Sequence, residues 1–242
     1  MDLQQAFAEC GTTVRERDPD RYFSALFAPA EKRPFLFALY AFNSELAHVG
    51  ETVREPMLGE IRLAWWRETL DGARAHAPRP HHVARALAAM LAASDLPADV
   101  LDAMIDARQF DLLDGTFADT ANRDAYVDAT SANLMRLAAR ILGAEDRFDD
   151  LAREAGAAYG LAGLLRNRAK GRGRSFLGDG DTASADARAH LTLARRLKKP
   201  KRALAAFLPA TLVPLYLRDP RKEVSIHRRQ IALLGASLRG RI

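Results

Sequence analysis

Apolar residues along this chain return every three or four positions, the spacing that lays one side of an α-helix against a core, and strict strand-like alternation hardly occurs. The first such segment covers positions 3–17. Asp18-Pro19-Asp20 interrupts it and restarts a short helix over 21–27 that stops near Pro29. A long helix over 30–53 carries Phe35, Leu36, Leu39, Tyr40, Phe42 and Leu46 on a wide apolar surface. The next, over 56–75, carries Leu63, Trp65, Trp66 and Leu70, and Pro78-Arg79-Pro80 ends it. Helices follow over 83–93 and 97–113, the second with Asp95 as N-cap and Pro97 in its first turn. Asn122 or Asp124 is expected to cap 125–142, which Gly143 closes. The glycine-spotted 151–167 allows close helix packing; 183–197, a proline-broken stretch and 226–238 complete the pattern. There is no internal repeat and no linker, so the expected architecture is a single all-α domain over 1–242.

Composition narrows this picture. A chain of 242 residues is long enough to bury one large core, and 48% hydrophobic with 28% charged residues is ordinary for a globular protein. Cys10 is the sole cysteine, which excludes an internal disulfide framework and a cysteine-based zinc site and fits a reducing, cytoplasmic setting. Met1-Asp2-Leu3-Gln4-Gln5 lacks the basic start of a secretory signal. No apolar run reaches the roughly 18 residues of a membrane span; the longest stretch, 203–217, is broken by Pro209 and Pro214. The net charge of +5 favours phosphates or the inner, anionic face of the cytoplasmic membrane as a peripheral contact. Much of that charge follows Arg166, through Arg168, Lys170, Arg172, Arg174 and Arg195-Arg196-Leu197-Lys198-Lys199, either as a solvated basic face or in such a contact. With no zinc finger, P-loop, nucleotide fingerprint or helix–turn–helix, nucleic acid is not an expected partner.

Two stretches carry candidate chemistry. Phe35-Leu-Phe-Ala-Leu-Tyr-Ala-Phe-Asn-Ser-Glu-Leu-Ala-His-Val-Gly-Glu51 resembles the A-x-Y-A-F-C-R-x-x-D-D-x-x-D helix of the squalene/phytoene synthase family. Gly156-Ala-Ala-Tyr-Gly-Leu-Ala-Gly-Leu-Leu-Arg166 and Gly173-Arg-Ser-Phe-Leu177 are similar to that family's G-x-A-x-Q-L-x-N-I-L-R-D-x-x-x-D and G-R-x-Y-L-P. Trp66-Arg67, His82-Val83, Ile105-Asp106…Asp111-Leu112 and the segment from Tyr126 to Ala132 match further family elements in order. The resemblance implies the helical bundle of the isoprenoid synthases. Enzymes of the family join two prenyl diphosphates, and carboxylates four apart on each of two facing helices hold the Mg²⁺ that neutralises the departing diphosphate.

Carried onto this chain, the first ligand pair falls on Ala47 and Glu51, with His48 in place of the intervening aspartate and Ser44 in place of an arginine. The second cluster falls on Gly163, Asn167 and Gly171. Among these ligand positions only Glu51 is a carboxylate, and the loop between Arg166 and Arg174 and the segment after Leu177 are shortened. Asp106, Asp111 and Asp114 are substitute acids; on a continuous helix Asp106 and Asp111 point about 140° apart whereas Asp111 and Asp114 share a face. Either a salt-bridged helix face or a cavity role suits them. His48 and Glu51, three apart, are a candidate metal pair or an ordinary rim contact.

Phe37-Ala-Leu-x-Ala-Phe-Asn43-x-Glu45-Leu-Ala47, then Val49, Val53, Glu55, Gly59, Arg62 and Trp66, resemble one branch of the family, the phytoene-synthase-like assembly factors of respiratory complex I. Cys10…Val14-Arg-x-Arg-Asp18 and Ser24…Pro29-Ala-Glu31…Arg33 resemble it too. That branch is regarded as keeping the synthase fold with altered acidic motifs, and the absence of an Arg-rich presequence points to a bacterial relative. The leading expectation is thus a non-catalytic protein whose partners are complex I subunits or assembly proteins. A prenyltransferase with unusual ligands and an isoprenoid- or lipid-binding protein are the alternatives. Candidate site residues are Asn43, Glu45, His48, Glu51, Asp106, Asp111, Arg166 and Asn167; no cofactor is expected, and Mg²⁺ only for an active enzyme.

Overall fold

The structure, a computed structural model, describes residues 2–53, 55–170 and 176–242, and among the described residues no strand forms. Helix α1 (Leu3–Arg17) begins where the Asp2 carboxylate accepts from the Gln5 backbone N–H. Asp18 ends it and at once caps α2 (Pro19–Ala25), accepting from the Arg21 N–H, with Pro19 in the first turn. The Asp-Pro-Asp break is therefore a cap shared by two helices. α3 (Arg33–Thr52) runs through the core with Leu36, Leu39, Tyr40, Phe42 and Leu46 buried, packed against α1, α4 (Pro56–Arg74) and α5 (His82–Ala92).

Beyond α5 the pattern departs from the sequence expectation. The helix expected over 97–113 stops early: α6 (Ala98–Ala107) is followed by a 3₁₀ turn, Arg108–Leu112. Asp95 does not cap it, since Pro97 occupies that position without a side-chain bond. The turn is pressed onto two glycines. A Cβ at Gly50 of α3 would lie 2.6 Å from Asp111 Cβ, and one at Gly59 of α4 would collide with Leu112. This tightening lifts Asp111 out of the line of α6, and Asp114 lies beyond the turn, so the shared helical face expected for Asp111 and Asp114 does not exist.

The helix expected from Ala125 starts earlier, as α7 (Thr120–Val127), because Asp119 caps it by accepting from Asn122 N–H at 2.8 Å. A π-helical turn, Asp128–Ala132, then leads into α8 (Asn133–Ile141), which ends at Gly143 with positive φ. The π turn lies on α9 (Asp149–Lys170), where a side chain at Gly156 would strike the Ala132 backbone. α9 also packs on α8 and α10 (Ala183–Arg196). Two short helices, α11 (Leu204–Phe207) and α12 (Val213–Arg218), flank a buried 3₁₀ turn at Leu208–Leu212, and α13 (Ile226–Arg239) closes over that turn and α2. Trp66 is buried in the core and Trp65 at its rim, edge-on to one another.

Candidate functional site

The α1–α2 junction, the last turns of α3 with the 3₁₀ turn, and the last turns of α9 converge on a cavity of about 540 Å³. Ala47 and Glu51 line it from α3, Gly163, Arg166 and Asn167 from α9; Phe176, Glu223 and Arg229 complete the wall. The two motif faces inferred from sequence thus do meet across one space. Gly171, Arg172, Gly173, Arg174 and Ser175 lie outside the described residues.

The candidate residues separate into four groups. Glu51, Asp111, Arg166 and Asn167 line the cavity. Asn43 stands behind it, its side-chain oxygen accepting from Arg108 Nη2 at 3.2 Å. Glu45 and His48 lie on the neighbouring flank with Arg62, Trp65 and His81; Arg17 donates to Glu45 at 2.9 Å, and His48 Nδ1 lies 3.4 Å from Glu51 Oε2 with both side chains exposed. Asp106 is on the outside, ion-paired with Arg67.

Two buried acidic centres organise the cavity wall, and the family motifs name neither of them in full. Asp20 is only 4% exposed. Its Oδ1 accepts from Arg229 Nη1 at 2.7 Å, and its Oδ2 accepts from Tyr159 Oη at 2.9 Å and from Tyr216 Oη. Arg166, which the sequence singled out, lies 4.0 Å from the same carboxylate and 3.8 Å over the Tyr216 ring. Asp111 is the second centre, accepting from Tyr126 Oη at 2.7 Å and Arg108 Nη1 at 3.0 Å. Burial, reinforced by the adjacent carboxylates, pushes the hydroxyls of Tyr159, Tyr216 and Tyr126 up, so they stay protonated and act as donors. Next to these, Arg21 donates to Asp18 at 2.6 Å and stacks over the Tyr159 ring.

Magnesium asks for several oxygen ligands in near-octahedral array. Ala47 and Gly163 offer no side-chain oxygen, Asn167 offers an amide, and Glu51 leans toward His48. Both oxygens of Asp18, of Asp20 and of Asp111 already accept from donors inside the protein. Among the described residues no three His, Cys, Asp or Glu side chains converge as metal ligands. The donor set does not fit the magnesium cluster that the synthase motifs imply. Instead the wall pairs its cations with its acids: Arg21 with Asp18, Arg229 with Asp20, Arg108 with Asp111 and Lys170 with Glu223.

Sequence reasoning missed Asp20, Arg21, Arg108, Tyr216 and Arg229 as site residues. Tyr126 and Tyr159 did stand inside motif stretches, which was a usable signal. Tyr216 and Arg229 lie 196 and 209 positions from Asp20, and no local pattern links them.

The all-helical bundle matches the fold of solved squalene and dehydrosqualene synthases. A dehydrosqualene synthase solved in complex with ligand superposes with a TM-score of 0.70 at 14% identity, over 98% of this chain and 97% of that one. The squalene synthase HpnC from Alicyclobacillus acidocaldarius gives 0.65 at 20% identity, over 98% and 95%. The chain belongs to the squalene/phytoene synthase family, whose model matches residues 14–185. Among curated relatives it is 33% identical over 158 residues to NADH dehydrogenase (ubiquinone) complex I, assembly factor 6 of Bos taurus, and 32% to that of Homo sapiens, covering 65% of this chain and 47% of each relative. The assembly factor 6 homolog of Drosophila melanogaster is 28% identical over 165 residues. The chain spans about half the length of these relatives.

Proposed function

We propose that this chain acts in the assembly of respiratory complex I as a non-catalytic member of its family, in contact with complex I subunits or other assembly proteins. Its likeness to curated assembly factors supports the process. The single observation that carries the loss of catalysis is the cavity's donor set. Alanine and glycine stand at ligand positions, and the remaining buried acids are held by arginines and tyrosines. The buried acids of this wall are committed to protein donors, and the exposed Glu51 is too little by itself to hold a magnesium cluster against a departing diphosphate. The largely charged lining also weighs against an enclosed isoprenoid chain, which an apolar pocket would favour.

Two measurements test the reading. Purified protein incubated with farnesyl or geranylgeranyl diphosphate and Mg²⁺ is expected to release no pyrophosphate; release with a head-to-head product overturns the non-catalytic half. Deleting the gene is expected to lower assembled complex I while leaving hopanoids and carotenoids unchanged. Normal complex I in the deletion strain overturns the assembly half.

A further inference from the structure

Helix α13 buries Leu233 and Ala236 against the bundle and turns a second apolar side outward. Ile231 is 71% exposed, Leu234 49% and Leu238 79%. Positions 231, 234 and 238 are three and four apart, so they form one stripe along the helix. Across a shallow groove stand Leu26 and Phe27 from the end of α2, themselves 41% and 38% exposed, and Phe23, Ile231 and Leu234 line the floor between. Isolated exposed leucines are commonplace, but a contiguous stripe on one helix with a matching apolar edge on its neighbour marks an interaction surface.

The charge around the stripe chooses the partner. From 224 to 242 the sequence has no aspartate or glutamate, while Arg228 and Arg239 are exposed on the same helix and Arg241 is exposed just past its end. Before the helix, exposed Arg218, Arg221 and Lys222 outnumber the exposed Asp219 and Glu223 interleaved with them. A second copy docked through the same face would bring the same arginines together across a two-fold axis, which like-charge repulsion disfavours. A sheet of anionic headgroups over an acyl layer satisfies both features at once. The aliphatic side chains enter the acyl boundary, and the arginines extend to the phosphates. No helix among the described residues is long and apolar enough to cross a membrane, so the contact is with the interface only.

We infer that the outward face of α13, with the Leu26–Phe27 edge, docks this protein on an anionic lipid bilayer. This inference does not rest on the assembly reading: a chain that binds bilayers but leaves complex I unchanged keeps the one and loses the other.

The test is flotation of the full chain with vesicles of phosphatidylcholine alone or mixed with phosphatidylglycerol, with light scattering of the free protein in parallel. Wild type is expected to float with the mixed vesicles, much less with phosphatidylcholine alone, and to be released by high salt. The double variant Ile231→Glu, Leu238→Glu is expected to stay unbound, with its helical circular dichroism and melting temperature unchanged because both positions face solvent. Arg228→Gln and Arg239→Gln are each expected to weaken binding about fivefold. Failure of wild type to bind the mixed vesicles, or undiminished binding by the double glutamate variant, overturns the inference. A wild-type dimer that the double glutamate variant breaks would also overturn it, in favour of a second copy.

Discussion

At the scale of single residues, the cavity is governed by buried acids whose partners come from distant parts of the chain. Asp20 neutralises Arg229 and accepts from two tyrosine hydroxyls, so removing it strands a cation and two donors at once. Asp20→Ala is therefore expected to cost about 3–5 kcal/mol, the usual loss when one partner of a buried pair is removed. Urea denaturation measures it, and a cost below about 1 kcal/mol, the scale of an exposed ion pair, would refute the role given to this carboxylate. Cys10 behaves in the opposite way. Burial, with Glu9 and Glu45 nearby, pushes its thiol up to about 12, which keeps it protonated and unreactive in the core.

At the scale of helices, close approaches decide where the regular pattern breaks. The π turn at Asp128–Ala132 follows Tyr126, the donor to Asp111, and lies against Gly156 of α9. Gly156→Ala forces the new methyl into the Ala132 backbone, an overpacking worth about 1–3 kcal/mol. For a chain of this size each kcal/mol lowers the melting temperature by about 2–4 °C, so calorimetry should see a clear drop. Gly163, seven residues along the same helix, has nothing within 4 Å of an added Cβ. Gly163→Ala is expected to be neutral or to stabilise by up to about 1 kcal/mol, through the lower entropy of its unfolded state. If the two substitutions destabilise equally, close packing at Gly156 is not the reason for its glycine.

At the scale of the whole molecule, the fold brings two motif faces together across one cavity, with alanine and glycine at facing positions. Ala47 and Gly163 stand on opposite walls of the cavity, and Gly163 has open space in front of it. On the non-catalytic reading proposed above, residue type and not space keeps Mg²⁺ from this cavity. The triple variant Ala47→Asp, Gly163→Asn, Asn167→Asp, which sets new oxygens around Glu51, is expected to gain a Mg²⁺-dependent rise in melting temperature of a few degrees where wild type shows none. A Mg²⁺ response in wild type, or none in the variant, would mean that something other than these side chains controls the site.

The residue order alone was enough to read the helical bundle, most helix positions and the residue types at the motif positions. Each is written locally, in a three-to-four-residue period, in the Asp18-Pro19-Asp20 break, and in the residue types at Ala47, Gly163 and Asn167. The branch resemblance was legible in the same way, because its signature is a contiguous stretch around Asn43 and Glu45. Local patterns did not show that α6 gives way to a 3₁₀ turn or that a π turn interrupts α7 and α8, because those breaks follow from neighbouring helices pressing on Gly50, Gly59 and Gly156. Tertiary structure alone also decided which of eight candidate residues share the cavity, and that Asp106 faces away from it. It placed Asp20 between Tyr159, Tyr216 and Arg229, because burying a carboxylate requires donors from wherever the fold can bring them, whatever their separation along the chain.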